Sequence, residues 1–336
     1  MSKPCITVIG SINIDLITRT SRIPAAGETI ISQSFDTGHG GKGANQAVAC
    51  ARLSRKKDDD LGQVEVRMDG AVGADTFGEE LIDGLRANGV TTTGIDKIAG
   101  KKTGAAVVIV EEQTGENRIL MSPNANYSLA PPAYVQFSGQ LPDLIVLQLE
   151  IPLDTTLQIL HTAKRMGIDI LLNPAPAQTL PKEAYSAVTY LIVNESEAAI
   201  ISSSVDSNPS WTEWGDHFER LIALDVHHII LTLGGAGVIY LDTDEQKIWR
   251  FYAEKVDVID TTAAGDTFVG AYAIAVMANA KTGWNTAAAV KWANTAAAKT
   301  VERRGAQSAI PWLDEVPAYS GHFNQSYETF DEWRKR

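Results

Sequence analysis

Short apolar runs, each followed by a longer stretch of helical periodicity, set the rhythm of this chain. Cys5-Ile-Thr-Val-Ile-Gly10 has the unbroken apolar character of a buried first strand and stops at a glycine. The pattern returns at 144–149, which ends at Glu150, at 168–172, at 191–193, and at His228-Ile-Ile-Leu-Thr-Leu-Gly-Gly235. Residues 44–53, 79–88, 154–166 and 285–303 read as helices, as does the segment after Asp266. Polar residues stand at or near successive strand ends: Asn13, Glu150, Asn173, Asn194 and Thr232. Taken singly, each is a turn former. Taken together, they predict a mostly parallel α/β sheet with a site at its carboxyl edge.

A second group of strands does not fit that rhythm. In the extended segment 11–16, Asn13 and Asp15 alternate with apolar neighbours, so their side chains share one face. That face reads as an ordinary exposed surface or as a place for sugar hydroxyls, because Asn donates and accepts while Asp only accepts. Residues 21–37 read as short strands around the turn Pro24-Ala-Ala-Gly27. Residues 103–110 and 117–121 read as two strands joined by a glycine-containing turn. With 14–37 they predict a small separate sheet that covers a site and exposes an edge to a second copy. Residues 64–72 resume as a strand, and the tail from Tyr319 is expected to pack its aromatic residues back on the surface.

Two stretches carry candidate chemistry. In Asp260-Thr-Thr-Ala-Ala-Gly-Asp-Thr-Phe268, small residues between two acids lead from the apolar run 256–259 into a helix. The N-terminus of such a helix offers free N–H groups and a positive dipole end to an anion. Asp266 there is either an N-cap or a base beside an anion hole, an arrangement suited to phosphoryl transfer. In Gly38-His-Gly-Gly-Lys-Gly-Ala-Asn-Gln-Ala47, glycines surround Lys42 ahead of a helix, without the spacing of a Walker loop. Lys42 and Asn45 there suit a small polar ligand, and His39 reads more readily as a loop residue than as a base. Residues 55–68 are dense in charge, and their first half reads as an exposed loop.

Composition narrows the field. At 336 residues, 44% hydrophobic and 21% charged, the chain can bury a large core. A net charge of −12 argues against non-specific binding to nucleic acid or membrane surfaces. Two cysteines, Cys5 and Cys50, imply no disulfide framework. Without a leader or spanning segment in view, the expected setting is the cytoplasm, with the nucleus open.

These stretches resemble the ribokinase-like carbohydrate kinases, the phosphofructokinase-B family, over roughly residues 4–318. The resemblance rests on Gly-Ser-Ile-Asn-Ile-Asp, the glycine loop, Asn-Pro-Ala-Pro-Ala, Asn-Glu-Ser-Glu, Asp-Thr-Thr-Ala-Ala-Gly-Asp and Arg-Gly-Ala-Gln, in family order. The family more commonly has Gly where Ala264 stands, and Ala-Ala-Gly-Asp is the form of its ribose-phosphorylating members. The resemblance implies a three-layer α/β/α core (1–12, 38–100 and 124–318), a β lid (13–37 and 101–123) and a peripheral tail (319–336). It implies ATP-dependent phosphorylation of D-ribose at O5, with Asp266 as base and Ala263, Ala264 and Gly265 as anion hole. It assigns Asn13, Asp15, Gly41, Lys42, Asn45 and Glu150 to the sugar. Asn194, Thr232, Gly234, Gly265 and Asn294 fall along ATP, and Glu197 falls to Mg²⁺, through water. It implies an activating K⁺ held at Asp260, Thr262, Thr300, Arg303 and Gly305. Ala309 stands where the family has a serine ligand, which puts that last ligand in question. A homodimer through the lid is implied as well. The alternatives are a sibling kinase for 2-deoxyribose, another pentose or a nucleoside, and a sugar-binding protein without catalysis. The absence of GxGxxG after the first strand weighs against a dinucleotide site.

Overall fold

A computed structural model describes residues 3–113, 117–137, 139–202, 214–282, 285–318 and 327–333. In chain order the first elements are β1 (Cys5–Ile9), β2 (Asn13–Thr20), β3 (Ser34–Gly40), α1 (Lys42–Leu53), β4 (Glu65–Gly73), α2 (Thr76–Ala87), β5 (Thr91–Ile98), β6 (Gly104–Glu111) and β7 (Asn117–Ser122). The centre of the chain forms β8 (Leu144–Leu147), α3 (Leu153–Met166), β9 (Asp169–Leu172), α4 (Lys182–Tyr185), β10 (Tyr190–Asn194), α5 (Glu195–Ile201) and α6 (Trp214–Ile222). The rest comprises β11 (His228–Thr232), β12 (Val238–Asp242), β13 (Lys247–Phe251), α7 (Ala264–Thr282), α8 (Thr286–Val301), β14 (Glu328–Thr329) and α9 (Phe330–Trp333).

The large sheet runs β14-β13-β12-β11-β10-β9-β8-β1-β4-β5. From β11 to β5 every pairing is parallel, and β12, β13 and β14 extend it antiparallel. Its central strands are buried on both faces, which is why they read as unbroken apolar runs. Along β8, Leu144 and Val146 face a layer containing α1, α2, α7 and α8, while Ile145 and Leu147 face one containing α3, α5 and α6. The result is the three-layer α/β/α architecture expected from the sequence.

The second sheet runs β3-β2-β6-β7. Its outer strand β7 is exposed along its whole length, with Ile119, Leu120 and Met121 open, as is Phe35 of β3. The short strands expected over 21–37 reduce to β3 alone, because residues 21–33 turn irregularly around Ala25–Glu28. The helix expected from Glu79 begins at Thr76, because Asp75 caps it by accepting from the Gly78 N–H. The apolar run 256–259 is irregular, and Val258 and Ile259 are exposed. Of the tail, residues 327–333 pack back, with β14 paired to β13, Phe330 buried and the Tyr327 ring against Trp249, while 319–326 and 334–336 lie outside the described residues. Over the charged loop, Arg52 and Arg55 each lie 5.1 Å from the Trp312 ring.

One helix contact sets the geometry of everything that follows. A Cβ on Gly270 of α7 would lie 2.4 Å from the Ala49 Cβ and 2.8 Å from the Cys50 N of α1. The two backbones therefore meet at a point where only glycine fits. Gly270 is one turn beyond Asp266, and Ala49 and Cys50 are one turn beyond Asn45 and Gln46. The first turns of both helices are thereby brought side by side. Gly270→Ala is expected to overpack this contact and cost about 1–3 kcal/mol of stability. Denaturant unfolding of the variant against wild type would measure it, and a change below about 0.5 kcal/mol would contradict the tight contact.

Candidate active site

The contact between α1 and α7 delivers three side chains to one point. Asp266 is the third residue of α7, not its N-cap, and it is buried. Its Oδ2 accepts from Asn45 Nδ2 at 3.0 Å, and its Oδ1 accepts from Gln46 Nε2 at 3.0 Å. Gln46 Nε2 also donates to Asn173 Oδ1 at 3.1 Å, and Gln46 Oε1 accepts from Gln148 Nε2 at 2.7 Å. Ala263, just before the helix, sits at φ +60, a left-handed conformation unusual for a side chain with a Cβ. The chain turns sharply there, the Ala264 N–H donates to the Thr261 carbonyl at 3.3 Å, and Gly265 is exposed.

The glycine loop completes the opposite wall. Gly41 adopts φ +87, and a Cβ there would lie 2.7 Å from the Asn13 N and 2.9 Å from the Ser11 O. That close approach lets α1 start directly against the chain leaving β1. Glu150 accepts from the Ser11 hydroxyl and from the Lys42 N–H at 3.1 Å. Asn13 is buried, and its Oδ1 accepts from Asn126 Nδ2 at 2.7 Å, while Asn126 Oδ1 accepts from the Ile12 N–H at 2.9 Å. His39 stands apart from this cluster, with its ring against Gly84 and Nε2 3.2 Å from Glu80.

Charge is concentrated here. Burial first, then Glu150 and Asp266, push the Asp15 carboxyl up to about 7. Burial likewise raises Glu150 and Glu197, against the pull of the Lys42 ammonium. Burial disfavours that ammonium, but Asp266, Glu150 and Glu197 together hold it above the ordinary lysine value. Lys42 is thus the common counter-charge of three carboxylates.

The residues assigned to nucleotide lie at neighbouring strand ends. Asn194 and Thr232 are register partners on β10 and β11. Asn194 caps α5 in a reciprocal box with Glu197: Asn194 Oδ1 accepts from the Glu197 N–H at 2.8 Å, and Glu197 Oε2 accepts from the Asn194 N–H at 2.9 Å. Gly234 takes φ +50 in a short 3₁₀ turn. Beyond it opens a groove of about 600 Å³ lined by Gly235, Ala236, Tyr252, Lys255 and Val258. Asn294 of α8 reaches the same segment by donating to the Tyr252 carbonyl at 2.9 Å.

Asp260 fastens two of the other residues assigned to a monovalent cation, Thr262 and Gly305. Its Oδ1 accepts from Thr262 N (3.0 Å) and Oγ1 (2.7 Å), and its Oδ2 accepts from the Gly305 N–H at 2.9 Å. Burial opposes its ionisation, but these donors hold its pKa below the ordinary carboxylate value. Thr300 Oγ1 donates to Thr267 Oγ1 of α7 at 2.8 Å, and its carbonyl accepts from the Arg303 N–H at 3.1 Å. The Arg303 guanidinium pairs with Glu315, so its side chain is turned to structure. Thr262 lies just before α7, and Thr300 is bonded to its first turns through Thr267.

Several participants were not singled out from the sequence: Ser11, Gln46, Asn126, Gln148 and the groove beyond Gly234. Gln148 carried a usable signal, since a polar residue inside a buried strand run must find a partner. The groove carried none, because irregular backbone forms it.

Comparison with known proteins agrees with this geometry. Residues 3–313 match the model of the pfkB family of carbohydrate kinases. The chain belongs to that family. It is 42% identical over 330 residues to a ribokinase of Schizosaccharomyces pombe, covering 96% of this chain and 99% of the relative. It is 34% identical to a deoxyribokinase of Salmonella typhi, covering 94% of this chain and 98% of the relative. The structure of Arabidopsis thaliana ribokinase complexed with ribose and ATP superposes with a TM-score of 0.79 at 25% identity, covering 94% of this chain and 97% of that one. Its pfkB-family membership places the two-sheet architecture among known kinases.

The raised Asp15 pKa carries a stability consequence. The folded carboxyl binds a proton more tightly than the unfolded one, whose ordinary value is 3.8. That contribution is fully present below about pH 4 and is lost as pH rises through about 7. Asp15→Asn removes the charging penalty, so the variant is expected to exceed wild type in stability at pH 8 by about 1–2 kcal/mol, after discount for partial exposure. The gap should close as pH falls towards 4, and thermal unfolding across that range without ligand would show a constant gap if Asp15 were unperturbed.

Proposed function

We propose that this chain phosphorylates D-ribose at O5 with ATP, giving D-ribose 5-phosphate and ADP. The observation that carries the reading is Asp266, a buried carboxylate at the first turn of a helix, beside the Lys42 cluster and next to the strand ends of β10 and β11. Relatives named ribokinase over nearly the whole chain support the substrate.

In this reading Asp266 takes the proton of the sugar's primary hydroxyl as that oxygen attacks the γ-phosphorus. The amides of Ala263, Ala264 and Gly265 face the charge that develops on the transferring group, where fixed dipoles need no reorganisation. Asn13, Asp15, Gly41, Lys42, Asn45 and Glu150 hold the sugar. Asn45 Oδ1 suits this role, being buried without a hydrogen-bond partner among the described residues. Asn194, Thr232, Gly234, Gly265 and Asn294 line the nucleotide, with the groove at Tyr252 and Val258 for its base.

Glu197 fits an outer-sphere role for Mg²⁺, because both its carboxylate oxygens already serve Asn194. When bound, Mg²⁺ neutralises phosphate charge during transfer. The loops at Asp260, Thr262, Thr300, Arg303 and Gly305 would hold K⁺ through backbone carbonyls, and so fix the turn that starts α7. The small sheet covers the sugar, and its open β7 face fits a second copy of the chain, with an apolar stripe that a homodimer would bury. Cys5 and Cys50 are both free and buried, and no described helix is long and apolar enough to cross a membrane; a cytoplasmic setting suits both.

The 34% identical deoxyribokinase keeps one second reading in play, a preference for 2-deoxyribose. Coupled assays of ADP release with Mg-ATP and each sugar separate the two. Ribose is expected to give the higher kcat/KM, with turnover stimulated by K⁺. Asp266→Ala is expected to lower kcat by about 10²–10⁴-fold. Turnover on neither sugar would overturn the reading, and near-wild-type turnover by Asp266→Ala would remove Asp266 as base. Turnover indifferent to K⁺ would remove the cation site alone.

A further inference from the structure

The two oxygens of Asp266 are held very differently. Oδ2 has Asn45, whose own Oδ1 is buried without a partner among the described residues, so nothing else pins that amide. Oδ1 has Gln46, which is completely buried and tethered at both ends of its amide. Gln148 Nε2 donates to Gln46 Oε1 at 2.7 Å, which decides which end of the Gln46 amide faces Asp266. Gln46 Nε2 divides its two hydrogens between Asp266 Oδ1 and Asn173 Oδ1. Asn173 in turn donates to the Ile192 carbonyl at 3.0 Å. The chain of amides therefore runs from the end of β8 through α1 to the ends of β9 and β10, every link is a neutral group, and Gln46 is the one bonded at both ends of its amide to side chains on three sides.

We propose that Gln46 is the positioning residue of Asp266: it anchors Oδ1, so that Oδ2 is the oxygen that faces the sugar and receives its proton. The inference rests on the reading of Asp266 as the base. As the primary hydroxyl attacks, its O–H bond breaks and its oxygen forms the new O–P bond, the bond from the γ-phosphorus to the bridging oxygen breaks with its electron pair leaving on ADP, and the proton ends on Oδ2. Asn45 is free to turn its amide towards the sugar as this occurs, whereas Gln46 would have to break three hydrogen bonds to move. Oδ1 is thus bonded to a neutral amide that two further hydrogen bonds hold in place. Gln46 touches neither the reacting hydroxyl nor the phosphate in this account, and its action is through Asp266 alone.

Gln46→Met keeps an unbranched side chain of similar length and removes the donor. Its kcat on ribose is expected to fall by about 10–100-fold while the ribose KM stays within about threefold. The acidic limb of the kcat–pH profile is expected to move up by more than about 0.5 unit, because the ionised carboxylate has lost a donor. Carboxyl ¹³C NMR of Asp266, assigned with Asp266→Asn, should show the same upward shift without any substrate. Gln148→Met, one link further out, should shift both readouts in the same direction by less, and it decides the matter if Gln46→Met does not fold. An unshifted limb and an unshifted ¹³C titration, with kcat within about twofold of wild type, would overturn the proposal. If wild-type protein does not act on ribose, the functional reading fails, and the ¹³C titration still decides whether Gln46 governs Asp266.

Discussion

The close contact of α1 and α7 at Gly270 is the constraint on which the site depends. Neither helix start is special in isolation. Side by side, with no room for a Cβ between Gly270 and Ala49, they place Asn45 and Gln46 against Asp266 at hydrogen-bond distance. The carboxylate is buried, so it must be fully partnered to keep its charge. Two amides from the neighbouring helix supply one donor to each of its oxygens. Fold and chemistry are thus joined at a single packing point.

Electrostatics then divides the labour among the acids. Lys42 is shared by Asp266, Glu150 and Glu197, while Asp15 lies beyond that shared charge and is driven towards the neutral form. A site without ligand that carries this much unpaired acid is destabilised, and hydroxyl donors of a sugar are the groups that would relieve it. Stability is held back at the place where binding energy is later recovered. Asp260 does the opposite: its carboxylate is fully used in fastening two loops, and its role is to make the turn before α7 rigid.

Much of this was legible in the chain because buried parallel strands write themselves as unbroken apolar runs. β1, β8, β9, β10 and β11 were visible that way, and so were the polar residues at their ends. The glycine loop and the segment 260–268 were legible because close backbone approach admits few residue types. Asp266 was ambiguous between cap and base, since both roles use an acid near a helix start. Only the geometry, with the helix opening at Ala264, decided against the cap. β12, β13 and β14 are not legible in the sequence because their partners are antiparallel neighbours whose pairing the local pattern does not encode. Gln46 carries no signal of its own within its motif, because its three partners come from α7 and from the segments after β8 and β9. The nucleotide groove is made of irregular backbone around Tyr252 and Val258, for which periodicity has no signature.

The central claim is that a phosphoryl group is transferred to the primary hydroxyl of ribose with Asp266 as base. The most direct test is the position of the phosphate in the product. Wild-type protein would be incubated with [5-¹³C]ribose and Mg-ATP in K⁺, and the product followed by ¹³C NMR. The account predicts a phosphorus-coupled C5 signal that appears with wild type and is lost with Asp266→Ala. Coupling at another carbon, or no phosphorylated sugar from wild-type protein, would contradict it.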